Sequence, residues 1–286
     1  MSYLERVQAC HQFDRSEYLD FVIGNEIMGL TRPQFAQQLI RWENVFQLKN
    51  NQLFLNPNLI NFEQRTQAVA PIMEQLYQEG VIPAWVNEPY AVSHHFDEQP
   101  RMAVERAAAS YLGVRGYGIH INGLVQKSDG IYNWVAVRAR DRAFWPGQFD
   151  QMVAGGQGIG IGLMENVIKE SKEEANIDED IASQAKPRGS LSYCSNSSRG
   201  ISMSTLFNYD LWLPEDFTPV NTDGEVDEFI LMPLAEMAEI IDNSEKFKSN
   251  CNLVNIDLLI RAGVITESHP DFKAITELLY SPAIKL

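Results

Sequence analysis

The sequence predicts an α/β fold in two parts, a small α+β unit over residues 1–113 and a mixed α/β unit over residues 114–286 that closes in helices. Three observations carry this. At 286 residues the chain has the length of two compact units, since a domain commonly takes about 100 to 200 residues. The apolar pattern changes at Gly113, from helical spacing before it to strand-like runs after it. Beyond that switch, a glycine-dense loop from Gly155 to Gly162 leads straight into a helical pattern.

In the first part, residues 45–48 and 52–55 flank Lys49-Asn50-Asn51, a hairpin signal with the asparagines in the turn. Val69, Ile72, Met73 and Leu76 then recur at helical spacing within 62–79, and Gly80 supplies the stop. Residues 102–112 read as an Ala-rich helix ending at Gly113. In the second part, 116–122 and 133–140 read as strands joined by the turn-rich segment Lys127-Ser-Asp-Gly130. A helix is expected over 163–175, strands around Leu191, 204–213 and 225–231, a helix with Pro233 at its first position, and amphipathic helices over 252–262 and 271–280.

The charge balance excludes several classes. With 23 Lys+Arg against 38 Asp+Glu the net charge is −15, which repels phosphate backbones and anionic bilayers. No concentrated basic patch offsets it, so neither nucleic acid nor membrane is expected as a partner. Cys10, Cys194 and Cys251 are odd in number and far apart, which fits buried thiols in a reducing compartment rather than a disulfide framework. The N-terminal segment MSYLERVQACHQFDR has charges where a signal peptide needs an apolar stretch. The expectation is a soluble cytoplasmic protein.

Its acidic residues are not spread evenly: six fall within 170–180 and six within 215–228. Glu170, Glu173 and Glu174 stand at i, i+3 and i+4, within one arc of about 100° on a helix face. Leu163, Met164, Val167, Ile168 and Ala175 occupy the adjoining arc and would pack on a sheet. Three like charges so close repel. Either Lys169 and Lys172 balance a solvated acidic face, or a hard divalent cation takes the carboxylate oxygens.

The stretch from Gly155 to Ile177 resembles a Nudix box, in which Gly, five residues, Glu, seven residues, Arg-Glu, an aliphatic residue, any residue, Glu-Glu, any residue, Gly and an aliphatic residue follow one another. Gly155, Glu170, Glu173, Glu174 and Ile177 match in register, while Ile161, Lys169, Ser171 and Asn176 depart from the pattern. Lys169 keeps a cation, and Asn176 tolerates the left-handed backbone. Upstream, Trp145-Pro146-Gly147 and Ala154-Gly155-Gly156, and downstream Asp223-Gly-Glu-Val226, are similar to the flanks of the box in that family. The resemblance spans about residues 114–240 and implies a Nudix α/β/α sandwich with a mixed sheet, preceded by the small α+β domain. Within the family it lies nearest the Nudix part of fungal thiamine pyrophosphokinases.

What the resemblance implies is metal-dependent hydrolysis of a small-molecule diphosphate to the monophosphate and phosphate, with Mg²⁺ or Mn²⁺ as cofactor and thiamine diphosphate or its oxidised forms as the leading substrate. Carried over position by position, Glu170 and Glu174 are the main metal ligands, Glu173 a ligand or its support, and the Gly155 backbone an inner wall. Glu225 or Glu228 supplies a further ligand or the general base, and Arg138 and Arg140 alternate on a strand where they can hold phosphate oxygens. The rival from another class is an inactive Nudix module that only binds a ligand or partner, motivated by Ile161 in place of Glu. Isopentenyl diphosphate isomerase, a related fold, needs a Cys and a His in the stretch matched by Met152-Val-Ala-Gly-Gly156, and neither is there. Residues 1–113 either wall the substrate pocket or form a homodimer.

Overall fold

The computed structural model describes residues 1–142 and 144–286; residue 143, inside the stretch that leads to Trp145-Pro146-Gly147, lies outside them. The chain begins with α1 (Tyr3–Ala9), started by a reciprocal capping box between Ser2 and Glu5. β1 (Leu19–Ile23) and β2 (Glu26–Thr31) form a hairpin closed by Gly24 at φ +63°. α2 (Pro33–Leu39) follows, with proline at its first turn. β3 (Phe46–Lys49) and β4 (Gln52–Leu55) are the expected hairpin, with Asn50 and Asn51 both left-handed. β4 then pairs in parallel with β1, giving a sheet of order β2-β1-β4-β3.

α3 (Phe62–Gln78) lays Val69, Ile72, Met73 and Leu76 against Phe21, Phe46 and Leu53, the centre of the first core. The segment expected as one helix over 102–112 divides instead. Residues Met102–Glu105 are β6, paired antiparallel with β5 (Pro89–Val92), and α4 covers only Arg106–Leu112. The Glu105 carboxylate accepts from the backbone N–H groups of Val86, Glu88 and Ala107, so it pins the chain before β5 and caps α4 at once. Helix propensity at 102–105 thereby yields to a strand partner and a cap.

Past Gly113, β7 (Gly116–Lys127) and β8 (Gly130–Arg138) form the long hairpin, and β9 (Phe149–Gln151) and β10 (Val153–Gly156) wedge between their diverging ends, β9 on β8 and β10 on β7. α5 (Leu163–Ala175) and the short α6 (Glu179–Ala182) lead to β11 (Lys186–Ser197), β12 (Gly200–Trp212) and β13 (Val226–Pro233). The seven-stranded sheet runs β11-β12-β7-β8-β13 with β9 and β10 in the split; β12 is parallel to β7 and the other pairings are antiparallel, so the sheet is mixed. α7 (Leu234–Asn243), α8 (Cys251–Arg261) and α9 (Phe272–Leu279) complete the chain, with Pro233 as N-cap of α7 rather than its first residue.

One face of the sheet carries α5, through Val167 and Ala175 on Ile119, Ile121 and Val153. The other carries the C-terminal helices, with Met237, Leu253 and Ile256 gathered around Leu124 and Val135. This is an α/β/α sandwich. α1 belongs to that second layer: Val7 and Cys10 join its core, and the Tyr3 hydroxyl and Arg6 Nε donate to Ala238 O and Ile241 O, each at 3.0 Å. The division expected at residue 113 therefore leaves α1 packed with the C-terminal helices.

The seam between the two parts is tightest at Gly113, which caps α4 at φ +64° while its carbonyl accepts from the Leu30 N–H at 3.2 Å. A Cβ there would overlap the Leu30 backbone. Gly113→Ala is expected to lose about 3 kcal/mol or more in urea denaturation. Gly263→Ala, also left-handed at φ +74° but with open space around it, should lose only about 1 to 2 kcal/mol.

Candidate active site

The end of β10 presents two glycines in succession, and the helix that follows the loop returns to them. Gln157 Nε2 donates to Ile161 O at 2.7 Å, and Asn166 Nδ2 donates to Gly156 O at 2.8 Å and Gln157 Oε1 at 3.1 Å. Two buried amides thus brace the loop that has Ile161 where the family box has Glu. α5 starts at Gly162, whose N–H donates to Glu165, and ends on Asn176 in the left-handed region at φ +52°. Ser171, at the aliphatic position of the box, is fully buried, and its hydroxyl has no partner among the described residues.

The three carboxylates of α5 have different surroundings. Glu174 is buried, accepts from the Ala154 N–H at 2.9 Å, and has no cation partner among the described residues. Burial pushes its pKa well above the ordinary range, and Glu170, Asp150 and Glu225 add to the rise. Glu170 is raised mainly by burial, against the opposing effect of Lys169. Lys169 Nζ bridges Glu170 at 3.0 Å and Glu173 at 2.7 Å, leaving Glu173 half-exposed on the outer side. A Cβ at residue 155 would overlap the Glu170 carboxyl group, so glycine is what lets Glu170 lie against β10. An oxygen-only donor set of this kind, short of positive charge at Glu174, fits a hard divalent cation.

Next to it is a second buried cluster, with ligand atoms of His120, Asp150 and Cys251 all within 4.8 Å of one another. Asp150 already holds Arg138 at 3.0 Å and Lys248 at 3.2 Å and accepts from the Cys251 thiol at 2.9 Å. Burial opposes its ionisation, but Lys248, His120 and Arg138 outweigh that and hold its pKa below the usual carboxylate range. Two cations on one carboxylate leave no charge for a metal to neutralise, so this cluster ties β9 to α8 instead. His120 completes the tie: its Nδ1 lies 2.7 Å from Gln151 Oε1, and Gln151 Nε2 donates to Asn255 on α8 at 2.8 Å.

The remaining expected site residues are placed as follows. Arg138 is engaged by Asp150, and Arg140 is exposed with its backbone N–H on Asp227 Oδ2 at 3.3 Å. Glu225 pairs with Arg142 at 2.8 Å and lies near enough to Glu174 to raise its pKa. Glu228 stands exposed on β13, opposite Val137 of β8. The structure thus brings together Glu170, Glu173, Glu174, Gly155 and Glu225.

Sequence reasoning missed the contribution of the first unit. A Cβ at Gly156 would overlap the Tyr90 hydroxyl and lie 3.1 Å from Arg106 Cζ, and one at Gly158 would lie 3.3 Å from Glu88 Oε1. The Ile159 N–H donates to Pro89 O at 2.9 Å. β5 and the start of α4 therefore abut the glycine loop. The signal available was the density of glycines at 155–162, which permits close approach by another part of the chain.

A mixed-sheet α/β/α sandwich with a glycine loop and a carboxylate helix at the sheet edge defines a Nudix-type hydrolase. Comparison with known proteins agrees. The chain is 37% identical over 274 residues to Nudix hydrolase 24, chloroplastic, of Arabidopsis thaliana, spanning 94% of this chain and 75% of that one. It is 37% identical to Nudix hydrolase 20, chloroplastic, of the same plant, spanning 92% and 73%. Residues 2–116 match a family described as a domain of unknown function, DUF4743. Among solved structures, DR0079 of Deinococcus radiodurans overlaps 59% of this chain and 98% of its own at 20% identity and a TM-score of 0.42. The chain belongs to the Nudix hydrolase family, and its general activity is hydrolysis of a diphosphate linkage. No helix among the described residues is long and apolar enough to cross a membrane.

Two outcomes follow from the site's surroundings. Burial, with Lys248 adding, lowers the His120 pKa from 6.5 to about 4. The unfolded chain then binds this proton more readily than the folded one, so stability is full above pH 6.5 and falls with acidification down to about pH 4. His120 should contribute about 1.4 kcal/mol per pH unit in that window, and His120→Gln should flatten this part of a stability–pH profile. Gly155→Ala should displace the Glu170 side chain while leaving urea stability within about 1 kcal/mol, and should lower kcat about 100-fold.

Proposed function

We propose that the protein is a divalent-metal-dependent hydrolase that converts a small-molecule diphosphate and water to the monophosphate and phosphate. The observation that carries this is the Glu170 carboxyl group lying against the side-chain-free Gly155, with the buried Glu174 on the neighbouring Ala154 N–H and lacking any cation among the described residues. Glu170 and Glu174 are the proposed ligands of Mg²⁺ or Mn²⁺, and Glu173, tied to Lys169, supports Glu170 from outside. When bound, the ion supplies neutralisation of phosphate oxygens and lowers the pKa of a coordinated water. Glu225, oriented by Arg142, is the carboxylate proposed to take the proton of the attacking water. Arg140, without an ion pair among the described residues, is proposed to reach phosphate oxygens, while Arg138 positions β9 through Asp150.

In this reading residues 114–286 form the hydrolase domain and residues 1–113 the domain that shapes substrate access. Thiamine diphosphate and its oxidised forms are the proposed substrates, on the resemblance to the Nudix part of thiamine pyrophosphokinases. The three cysteines are free and buried, in keeping with a reducing compartment, for which the cytoplasm is proposed.

The test is a substrate panel read by mass spectrometry, with thiamine diphosphate and its oxidised forms beside dinucleotides and nucleoside triphosphates, each with Mg²⁺ or Mn²⁺. Metal-dependent turnover of a thiamine compound is expected, and Glu174→Gln should lower it by a factor of about 100 or more with little change in Tm. Absence of turnover on the whole panel, combined with a ligand that raises Tm, would establish the binding-module alternative.

A further inference from the structure

Arg199 sits at the tip of the β11–β12 hairpin, its backbone N–H donating to Ser197 Oγ at 3.3 Å, and its guanidinium has no ion pair or hydrogen bond among the described residues. Its guanidinium stacks on the Phe144 ring at 4.3 Å. Burial lowers its proton affinity, and the hairpin tip packs on α4, the helix that Arg106 opens, with Gly200 against Ser110 O. A half-buried cation left unpaired beside a second one, in a chain of net charge −15, calls for an anion that binds there.

Arg106 has the complementary features. With 42% of its side chain accessible to solvent, it is open to a ligand. It pairs with Glu88 at 2.8 Å, lies under the Gly156 backbone, and couples electrostatically to Glu170.

The first unit also builds the seat of Arg199. The Tyr18 hydroxyl meets Asn196 Oδ1 at 2.9 Å and Gly200 O at 3.0 Å, and Arg32 donates to Ser197 O at 3.2 Å. A Cβ at Gly200 would overlap Ser110 O of α4. The hairpin tip is thus clamped against the unit that contributes Arg106. Next to Phe144, Trp145 holds a left-handed backbone at φ +52°, a costly conformation for a bulky residue. Its ring lies 5.5 Å from Lys248 Nζ, beside Phe144 at 6.0 Å.

We propose that Arg106 and Arg199 form an anion clamp across the seam between the two units, which grips the phosphate of the substrate farthest from its organic group and faces it toward the α5 carboxylates. The proposal rests on the diphosphate-hydrolase reading of the same site. It gives the first unit a direct part in substrate binding: one arginine is its own, and the other is held in place by its Tyr18, Arg32 and Ser110.

The test separates the clamp from the chemistry. Inorganic pyrophosphate is titrated calorimetrically into the full chain in EDTA, so that no metal contributes, and KM and kcat are measured in Mg²⁺ on whichever diphosphate turns over. Arg199→Gln and Arg106→Gln should each weaken pyrophosphate binding about tenfold or more and raise KM by a similar factor with a smaller change in kcat, while Arg199→Lys restores part of the loss. Unchanged pyrophosphate affinity and KM in both glutamine variants, with Tm retained, would overturn the clamp and leave the hydrolase reading standing. Loss of pyrophosphate binding in a protein that turns over no diphosphate would support the clamp and remove the hydrolase reading. If Arg199→Gln lowers Tm, Arg106→Gln decides the outcome.

Discussion

Two adjacent residues without side chains set the terms for everything around them. At Gly155 the Glu170 carboxyl group occupies the space a Cβ would take, and at Gly156 Tyr90 and Arg106 do so. Successive residues of a strand face opposite ways, so the end of β10 is approached from one side by α5 and from the other by the first unit. Bare backbone there allows a negative group and a positive group to come close without meeting head-on. The carboxylates, the glycine loop and Arg106 are all anchored to those two positions.

Charge is graded across the site in the same order. Glu174 is buried and short of cations, Glu170 and Glu173 share Lys169, and Asp150 is over-supplied by Arg138 and Lys248. These groups lie within reach of one another, yet only the first has room for a further positive charge. The neighbouring His120–Asp150–Cys251 cluster has ligand-type atoms but the wrong balance, which makes it a strut between β9 and α8. Donor identity alone does not distinguish the two; the neighbouring cations do.

Legibility in the sequence followed the range of the interactions. α5 was readable to the residue, because its apolar stripe, its carboxylates and the left-handed Asn176 are all local signals. The β3–β4 hairpin was readable from its asparagines for the same reason. β6 was hidden inside an apparent helix, since its partner β5 and the cap at Glu105 are set by tertiary pairing. β1 and β2 went unread although Gly24-Asn25 is a two-residue turn signal. At the site, the box resemblance located Glu170, Glu173 and Glu174. Arg106 and Arg199 are 93 positions apart in the chain, and no spacing rule joins them; only the packing of α4 against the hairpin tip does.

The position of α1 has a consequence for how the chain is made. It is synthesised before the sheet and helices of the first unit, and its partners α7, α8 and α9 more than 200 residues later. During translation the first unit can complete its own core while α1, with Val7 and Cys10 still uncovered, waits for more than 200 residues to emerge. The nascent chain thus carries an orphaned apolar helix until those partners emerge. Closure of the sandwich is deferred until α7, α8 and α9 have emerged, when segments far apart in the chain come together.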